Sequence, residues 1–450
     1  MKDFTLAEIA KACNGEYVGD ESLKNTKITS VERDSRQVNN GSLFLAIKGE
    51  RVDGHDFIEK CFAQGAVCAL CEKAPENATK PCIVVSSTLD AVKKIGRAYR
   101  EKFDIPVIGI SGSVGKTSTK EMLYAVLSQR FKTHKTQGNL NNELGVPLTL
   151  LSMPEDTEAA VIEMGISDFG EMTRLSEMVQ PTICVLTIIG ECHLENLGDR
   201  DGVLKAKTEM FRNARENADF ILNGDDDKLS TVKTVNGKKP VFFGLDAKND
   251  FYAKNIKNSG DGKVLATLCF DNNNIDVEIP AIGTYMVTNA LAAAAAGKLL
   301  GLTDEEIANG VASYKTVGSR ANVINTGKIK IIDDCYNANP TSVRASLDTL
   351  SNLDGRKVAI LGDMKELGSE ELKLHFDTGV YAKSKGIGTV ITVGELAKEL
   401  AKGADGKAFD TIEDAKPEIL KTIKSGDVVL VKASHSMQFE NIVEFLKQNF

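Results

Sequence analysis

A chain of 450 residues is too long for one hydrophobic core and predicts about three domains. Its 42% hydrophobic and 26% charged residues suit a soluble globular protein, and a formal net charge of −8 argues against a general nucleic-acid surface. No apolar run reaches membrane-spanning length, and the N-terminus reads as an acidic amphipathic helix rather than a signal peptide, so a cytoplasmic protein without membrane insertion is expected.

Residues 1–104 precede a phosphate-loop unit. A helix is predicted over residues 6–13, with strands near 26–31 and 42–47. Ser30, Glu32, Arg33, Asp34, Ser35 and Arg36 place polar groups between those strands. A turn-rich polar loop runs from Gly49 through Asp53 to His55. A helix over 57–64 and strands over 67–70 and 83–86 complete the unit. On local chemistry alone these polar loops read as solvated connections. Cys68 and Cys71 have CxxC spacing, but no second pair or histidine cluster follows, so they read as core. Nine cysteines scattered in apolar contexts fit reduced thiols.

Residues 105–110 form an apolar run that predicts a buried strand. Met122, Leu123, Val126 and Leu127 recur at helical spacing. Between them lies Gly112-Ser113-Val114-Gly115-Lys116-Thr117-Ser118. Strand, glycine turn and helix N-terminus make an anion cradle. Lys116 is placed to reach nucleotide phosphates and Thr117 to coordinate Mg²⁺. The longer GxxxxGK[ST] pattern requires glycine where this chain has Ile110, so the form here is the shorter GxxGKT. The alternative is an ordinary strand-to-helix turn with a surface lysine.

Residues 105–318 alternate strands and helices, with strands at 107–110, 159–164, 183–189, 220–223 and 241–243. This predicts a mostly parallel sheet whose ligands collect at the C-terminal strand ends. Glu163, His193 and the run Asn223-Gly224-Asp225-Asp226-Asp227 stand at such ends. Glu163 is a candidate Mg²⁺ carboxylate. A lone glutamate or histidine there is more often structural, and proximity to the phosphate loop shifts the balance toward function. Asn139, Asn141 and Asn142 either satisfy each other as turns or grip a polar ligand. Segments 251–258, 263–270 and 274–279 read as an antiparallel meander, with a hairpin signal at Ser259-Gly260-Asp261-Gly262. Residues 283–289 lead into an alanine-rich helix over 290–300. Residues 319–450 begin a second, Rossmann-like α/β pattern, with strands at 329–333, 358–361, 389–393 and 427–431. The fold class is thus α/β in three domains, 1–104, 105–318 and 319–450, the last able to close over the second.

Three stretches carry a resemblance beyond the phosphate loop: Gly138-Asn139-Leu140-Asn141-Asn142-Glu143-Leu144-Gly145-Val146-Pro147, Asp334-Cys335-Tyr336-Asn337-Ala338-Asn339-Pro340 and Gly362-Asp363-Met364-Lys365-Glu366-Leu367-Gly368. With it, they resemble the Mur ligases, which build the peptide of bacterial cell-wall precursors. The resemblance covers essentially the whole chain. It implies an ATP- and Mg²⁺-dependent amide ligase using two ions. The substrates implied are UDP-N-acetylmuramoyl-tripeptide and D-alanyl-D-alanine, joined through an acyl phosphate by a monomeric enzyme. Lys116 and Thr117 would serve phosphates and metal, Glu163 and His193 the metal, and Lys207 would be carbamylated. Asn289 would contact adenine and Arg320 the γ-phosphate. Asp334, Tyr336 and Asn337 would contact the nucleoside. Ser30, Asp34, Ser35, Arg36, Gly49, Asp53 and His55 resemble a uridine-diphosphate site. Asn139, Asn141, Asn142, Asn339, Lys432 and Ser434 resemble contacts to the other substrates. His435 stands where relatives commonly carry arginine and is left out of the predicted site. Competing readings are a sibling ligase adding the third amino acid, a P-loop ATPase acting on a macromolecule, and a non-catalytic UDP-sugar binder. Without the resemblance, Lys207 reads as a surface lysine on a helix over 202–213.

Overall fold

The structure, a computed structural model, describes residues 1–49, 51–259 and 262–450. Glu50, in the polar loop, and Gly260 and Asp261, in the hairpin signal, lie outside the described residues.

The first unit begins with α1 (Leu6–Cys13), opened by a Thr5–Glu8 capping box that satisfies its first amides. Strands β1 (Glu16–Val18), β2 (Ser30–Glu32), β3 (Ser42–Leu45), β4 (Cys68–Cys71) and β5 (Cys82–Val84) pair in the order β1-β5-β4-β3-β2, with β1 alone antiparallel. Helix α2 (Ile58–Gln64) covers one face. Cys68 and Cys71 lie in separate cores, so the CxxC spacing makes no thiol pair.

The predicted scheme lacks α3 (Thr88–Arg100), a helix capped by Ser87. Ala91, Val92, Ile95 and Tyr99 form its buried stripe. Burying each large side chain stabilises by ~1.5–3 kcal/mol. This helix fastens the first unit to the second. Tyr99 donates its hydroxyl to the Met153 carbonyl at 2.8 Å, and the buried Arg100 donates to Val179 and Gln180 carbonyls. A Cβ on Gly96 would come within 2.7 Å of Pro147, so only glycine permits this approach.

The second unit holds β6 (Val107–Ser111), α4 (Lys116–Leu127), β7 (Thr133–Lys135), α5 (Gly145–Leu151), β8 (Ala159–Glu163), α6 (Glu171–Val179), β9 (Ile183–Leu186), α7 (Leu194–Leu197), α8 (Arg200–Thr208), β10 (Asp219–Asn223) and β11 (Val241–Phe243). Its six strands are all parallel, in the order β11-β10-β9-β6-β8-β7. Since β6 lies between β8 and β9, the connections leaving these strands diverge and open a crevice at their C-terminal ends. The meander follows as β12 (Tyr252–Ser259), β13 (Lys263–Phe270) and β14 (Asn273–Ile279), antiparallel as expected. Helix α9 (Tyr285–Leu299) starts five residues before the alanine run and is buried nearly all round, which its small side chains allow. Helix α10 (Asp304–Ala312) closes the unit.

The third unit contains β15 (Asn322–Asn325), β16 (Lys330–Asp333), α11 (Pro340–Ser351), β17 (Arg356–Gly362), α12 (Glu371–Ser384), β18 (Thr389–Val393), α13 (Ala397–Ala404), β19 (Lys407–Phe409), α14 (Ile412–Thr422), β20 (Asp427–Lys432) and α15 (Glu440–Asn449). The sheet order is β15-β16-β20-β17-β18-β19, parallel except for β15. Separate apolar clusters cover its two faces. The chain is therefore α/β with three such sheets among the described residues, as the sequence predicts.

Candidate active site

Strand β6 delivers the chain to Gly112, whose φ is +149°. A Cβ there would stand 1.9 Å from Thr187 Oγ1, so glycine is required. Gly115, at φ +86°, opens α4 without a side-chain cap. The helix start therefore presents free amides toward the crevice. Two ties hold the loop against the end of β9. Ser113 N–H donates to Ile188 O at 2.7 Å, and Thr187 Oγ1 donates to Val114 O at 2.6 Å. Ser113 Oγ exchanges hydrogen bonds with Gly190. The Tyr314 hydroxyl reaches Ser118. Lys116 is half-buried rather than solvent-facing, and its ammonium folds back to donate to Gly112 O at 2.6 Å.

Glu163 ends β8 with 2% exposure. Thr117 Oγ1 donates to its carboxylate at 2.9 and 3.1 Å, and Asn141 Nδ2 donates at 2.8 Å. Thr136 Oγ1 accepts the Glu163 amide. A hydroxyl and a carboxylate side by side at a phosphate loop suit Mg²⁺, which prefers hard oxygen ligands. His193 is at φ +52°, ahead of α7. Its Nδ1 lies 2.5 Å from Glu366 Oε2 in the third unit, a contact between the two units. Burial lowers the pKa of His193, Glu366 opposes that, and Lys207 and Lys116 reinforce it. A neutral imidazole is the metal-binding form. Among the described residues no three His, Cys, Asp or Glu side chains form a metal-binding group.

Lys207 is not at the surface. It is 1% exposed on α8, and no hydrogen bond or ion pair joins its amine to another group among the described residues. Burial pushes its pKa down to about 8. Its neighbour Glu209 anchors this end of α8 by accepting the Gly170 amide and the Thr173 hydroxyl at the start of α6.

Asn289, on α9, accepts the Thr119 hydroxyl at 2.9 Å and so stands behind the loop helix. Across the crevice, the Arg320 guanidinium lies 3.6 Å from the centre of the Tyr336 ring, and the His435 ring stands 5.7 Å from it. Buried Lys432 donates to Asp334 Oδ2 at 2.6 Å and to Asn337 O at 3.0 Å. Ser434 Oγ accepts the Lys365 amide. These residues form one cluster at the edge of the third unit. Thr341 donates to Glu191 at 2.6 Å, joining that unit to the second.

Several predicted contacts are occupied within the protein. Asn142 and Asn339 accept amides at the starts of α5 and α11. Asn139 is exposed, with its carbonyl taken by the Asn141 amide. Asp225, Asp226 and Asp227 hold the Leu245 amide, the Ile189 amide and the Arg200 guanidinium. In the first unit Ser30 pairs with Ser42 at 3.0 Å. Exposed Arg36 grips half-buried Asp34 and holds its carboxyl down at about 2, beside half-buried Ser35. Asp53 binds His55 Nδ1 at 2.7 Å, while His55 Nε2 accepts the Glu72 amide. The Gly49 amide donates to Val52 O. The loop is thus fixed to its sheet by His55.

Three family models match in series: the catalytic domain of the Mur ligase family over residues 27–111, the Mur ligase middle domain over 110–297, and the Mur ligase glutamate ligase domain over 319–435. The chain is 36% identical to the UDP-N-acetylmuramoyl-tripeptide–D-alanyl-D-alanine ligase of Bacillus subtilis (strain 168), covering 98% of each chain. The chain belongs to the Mur ligase family. Among solved structures, a MurF from Acinetobacter baumannii superposes with a TM-score of 0.92 at 32% identity, covering 100% of this chain and 99% of that one. A MurF ligase from Thermotoga maritima in complex with ADP gives 0.84 at 30% identity, covering 93% and 97%. The three-domain α/β architecture of the Mur ligases is therefore that of this chain.

Residues not predicted for the site include Lys120, Thr136, Glu366 and Tyr314. Two of them had a sequence signal: Lys120, one helical turn beyond Lys116, and Glu366, inside the stretch 362–368.

Proposed function

We propose that this protein is an ATP-dependent ligase that adds D-alanyl-D-alanine to UDP-N-acetylmuramoyl-tripeptide, giving the pentapeptide precursor, ADP and phosphate. The observation that carries the reading is a phosphate loop whose Thr117 hydroxyl is bonded to buried Glu163, with a buried Lys207 close enough to feel the charge of Lys116, in a chain matched end to end by ligases of that name. The reading divides the chain into domains 1–104, 105–318 and 319–450, each containing one α/β sheet. It places a monomeric enzyme in the cytoplasm. No helix among the described residues is long and apolar enough to cross a membrane.

The reaction makes an amide from an unreactive carboxylate. The tripeptide carboxylate attacks the γ-phosphorus of ATP, and the acyl phosphate formed is attacked by the dipeptide amine, expelling phosphate. Two anions must approach, so the residues needed are cationic. Lys116 is within reach of the loop's phosphate position once it leaves the Gly112 carbonyl, and Arg320 approaches from the third domain. Thr117, Glu163 and His193 would hold Mg²⁺, which supplies charge neutralisation when bound. Lys207, neutral in part near physiological pH, takes up CO₂ as a carbamate and becomes the anion its pocket lacks. Asn141 ties the substrate loop to Glu163. The third domain excludes water that would hydrolyse the acyl phosphate.

Purified enzyme with ATP and UDP-N-acetylmuramoyl-tripeptide should release phosphate only when D-alanyl-D-alanine is added. Turnover with single amino acids but not the dipeptide would favour the sibling ligase. Hydrolysis that needs no small acceptor and responds to a macromolecule would favour an ATPase. Running lysine- and diaminopimelate-containing tripeptides in parallel identifies the third residue.

A further inference from the structure

Lys120 is 1% exposed, and its ammonium sits between two buried carboxylates, 3.1 Å from Glu121 and 3.7 Å from Glu163. Glu121 has a second cation, Lys135, which also lies 4.0 Å over the Tyr124 ring. Glu163 has no second cation among the described residues; its other partners, Thr117 and Asn141, are neutral donors. A carboxylate this deep requires a counter-charge. Before a metal arrives, Lys120 is that charge.

We propose that Lys120 is a positioning residue that serves as the internal counter-cation of Glu163, stabilising the metal-free site and competing with Mg²⁺ for the same carboxylate. The inference rests on reading Glu163 as the Mg²⁺ carboxylate. Two cations on one carboxylate repel each other, and buried Lys120 cannot withdraw into water. Glu121 gives it a second seat when Mg²⁺ takes Glu163, and Lys135 gives Glu121 its own compensation. The site thereby keeps its shape when empty, and the metal binds loosely enough to leave with ADP.

The test uses the full-length protein, its Lys120→Met, Lys120→Arg and Glu163→Gln variants, and two readouts. One is the Mg²⁺ affinity at saturating ADP by calorimetric titration. The other is the unfolding midpoint in EDTA and with Mg²⁺ and ADP. Lys120→Met should bind Mg²⁺ roughly tenfold tighter, within the usual range for coupled sites. Its midpoint should fall in EDTA and recover largely with Mg²⁺ and ADP. Lys120→Arg should stay near the parent in both. Equal loss of midpoint in both conditions with unchanged affinity would mean a merely structural lysine and overturn the proposal, as would weaker Mg²⁺ binding. If Lys120→Met does not fold, Lys120→Gln is judged by the same criteria. If Glu163→Gln binds Mg²⁺ like the parent, the metal assignment of Glu163 itself fails. If it binds weakly while Lys120→Met is not tighter, only the counter-cation role fails.

Discussion

Replacing Lys207 by methionine keeps a long, straight side chain and removes its charge. Burial takes the lysine from its ordinary 10.5 to about 8, a penalty of ~3 kcal/mol on the ammonium. Below the folded value both folded and unfolded chains hold the proton, and the fold bears the whole penalty. Between about 8 and 10.5 the unfolded chain holds a proton that the folded chain has released, so stability rises with pH. Above that window both are neutral and the penalty is gone. In CO₂-free buffer near neutral pH, Lys207→Met should therefore be more stable than the parent by up to ~3 kcal/mol, and the gain should vanish as pH rises through the window. Denaturant unfolding across a pH series measures this. A methionine variant no more stable than the parent near neutrality would refute the buried, unpaired ammonium. The same variant should be inactive, as should Lys207→Arg, which keeps the charge and cannot form a carbamate. Lys207→Ala should recover part of its activity with a small carboxylic acid. A fully active arginine variant would refute the carbamate.

Lys116→Ala should lose ~10²–10³ in turnover while its circular dichroism stays that of the parent; near-normal turnover would remove the phosphate-loop assignment. Glu163→Gln should need more Mg²⁺ for half-maximal activity, because an amide is a poorer ligand for a hard cation; an unchanged Mg²⁺ titration demotes Glu163 to a structural role. Gly112→Ala should lose ADP binding in equilibrium titration, since its Cβ would collide with Thr187. Tyr99→Phe should cost about 1–2 kcal/mol in denaturant unfolding, since its hydroxyl donates to the Met153 carbonyl and accepts the Lys2 amide.

Elements with strong apolar periodicity and clear punctuation were legible in the sequence. The first helix and the strands Val241–Phe243 and Thr389–Val393 fall where predicted. The helix Thr88–Arg100 escaped because its stripe is interleaved with lysines and arginines, and its purpose is a contact with another domain. The phosphate loop was legible because glycine, lysine and threonine act through local backbone geometry. The destinations of side chains were not. Asn142 and Asn339 look like ligand contacts in a motif, and the structure adds that the side-chain oxygen of each accepts an amide at a helix start. The aspartates after Asn223 look like a site, yet each holds its own backbone or arginine partner. Lys120 and Lys207 look like helix-surface lysines, and only tertiary packing buries them.

The grip of α3 on its neighbour extends into the apolar interior. One continuous cluster runs from Phe4 and Leu6 through Tyr99 and Val146 to Leu222 and Val235, spanning the first two sheets. The third sheet has clusters drawn almost wholly from its own unit, Ile282 being the second unit's one member. This packing predicts two cooperative bodies rather than three. The first two domains should unfold in one calorimetric transition and the third in another. An isolated first domain would expose the stripe on α3 and precipitate, whereas the C-terminal third, cut free at the connector after α10, would lose only Ile282 from the cover of its two apolar faces.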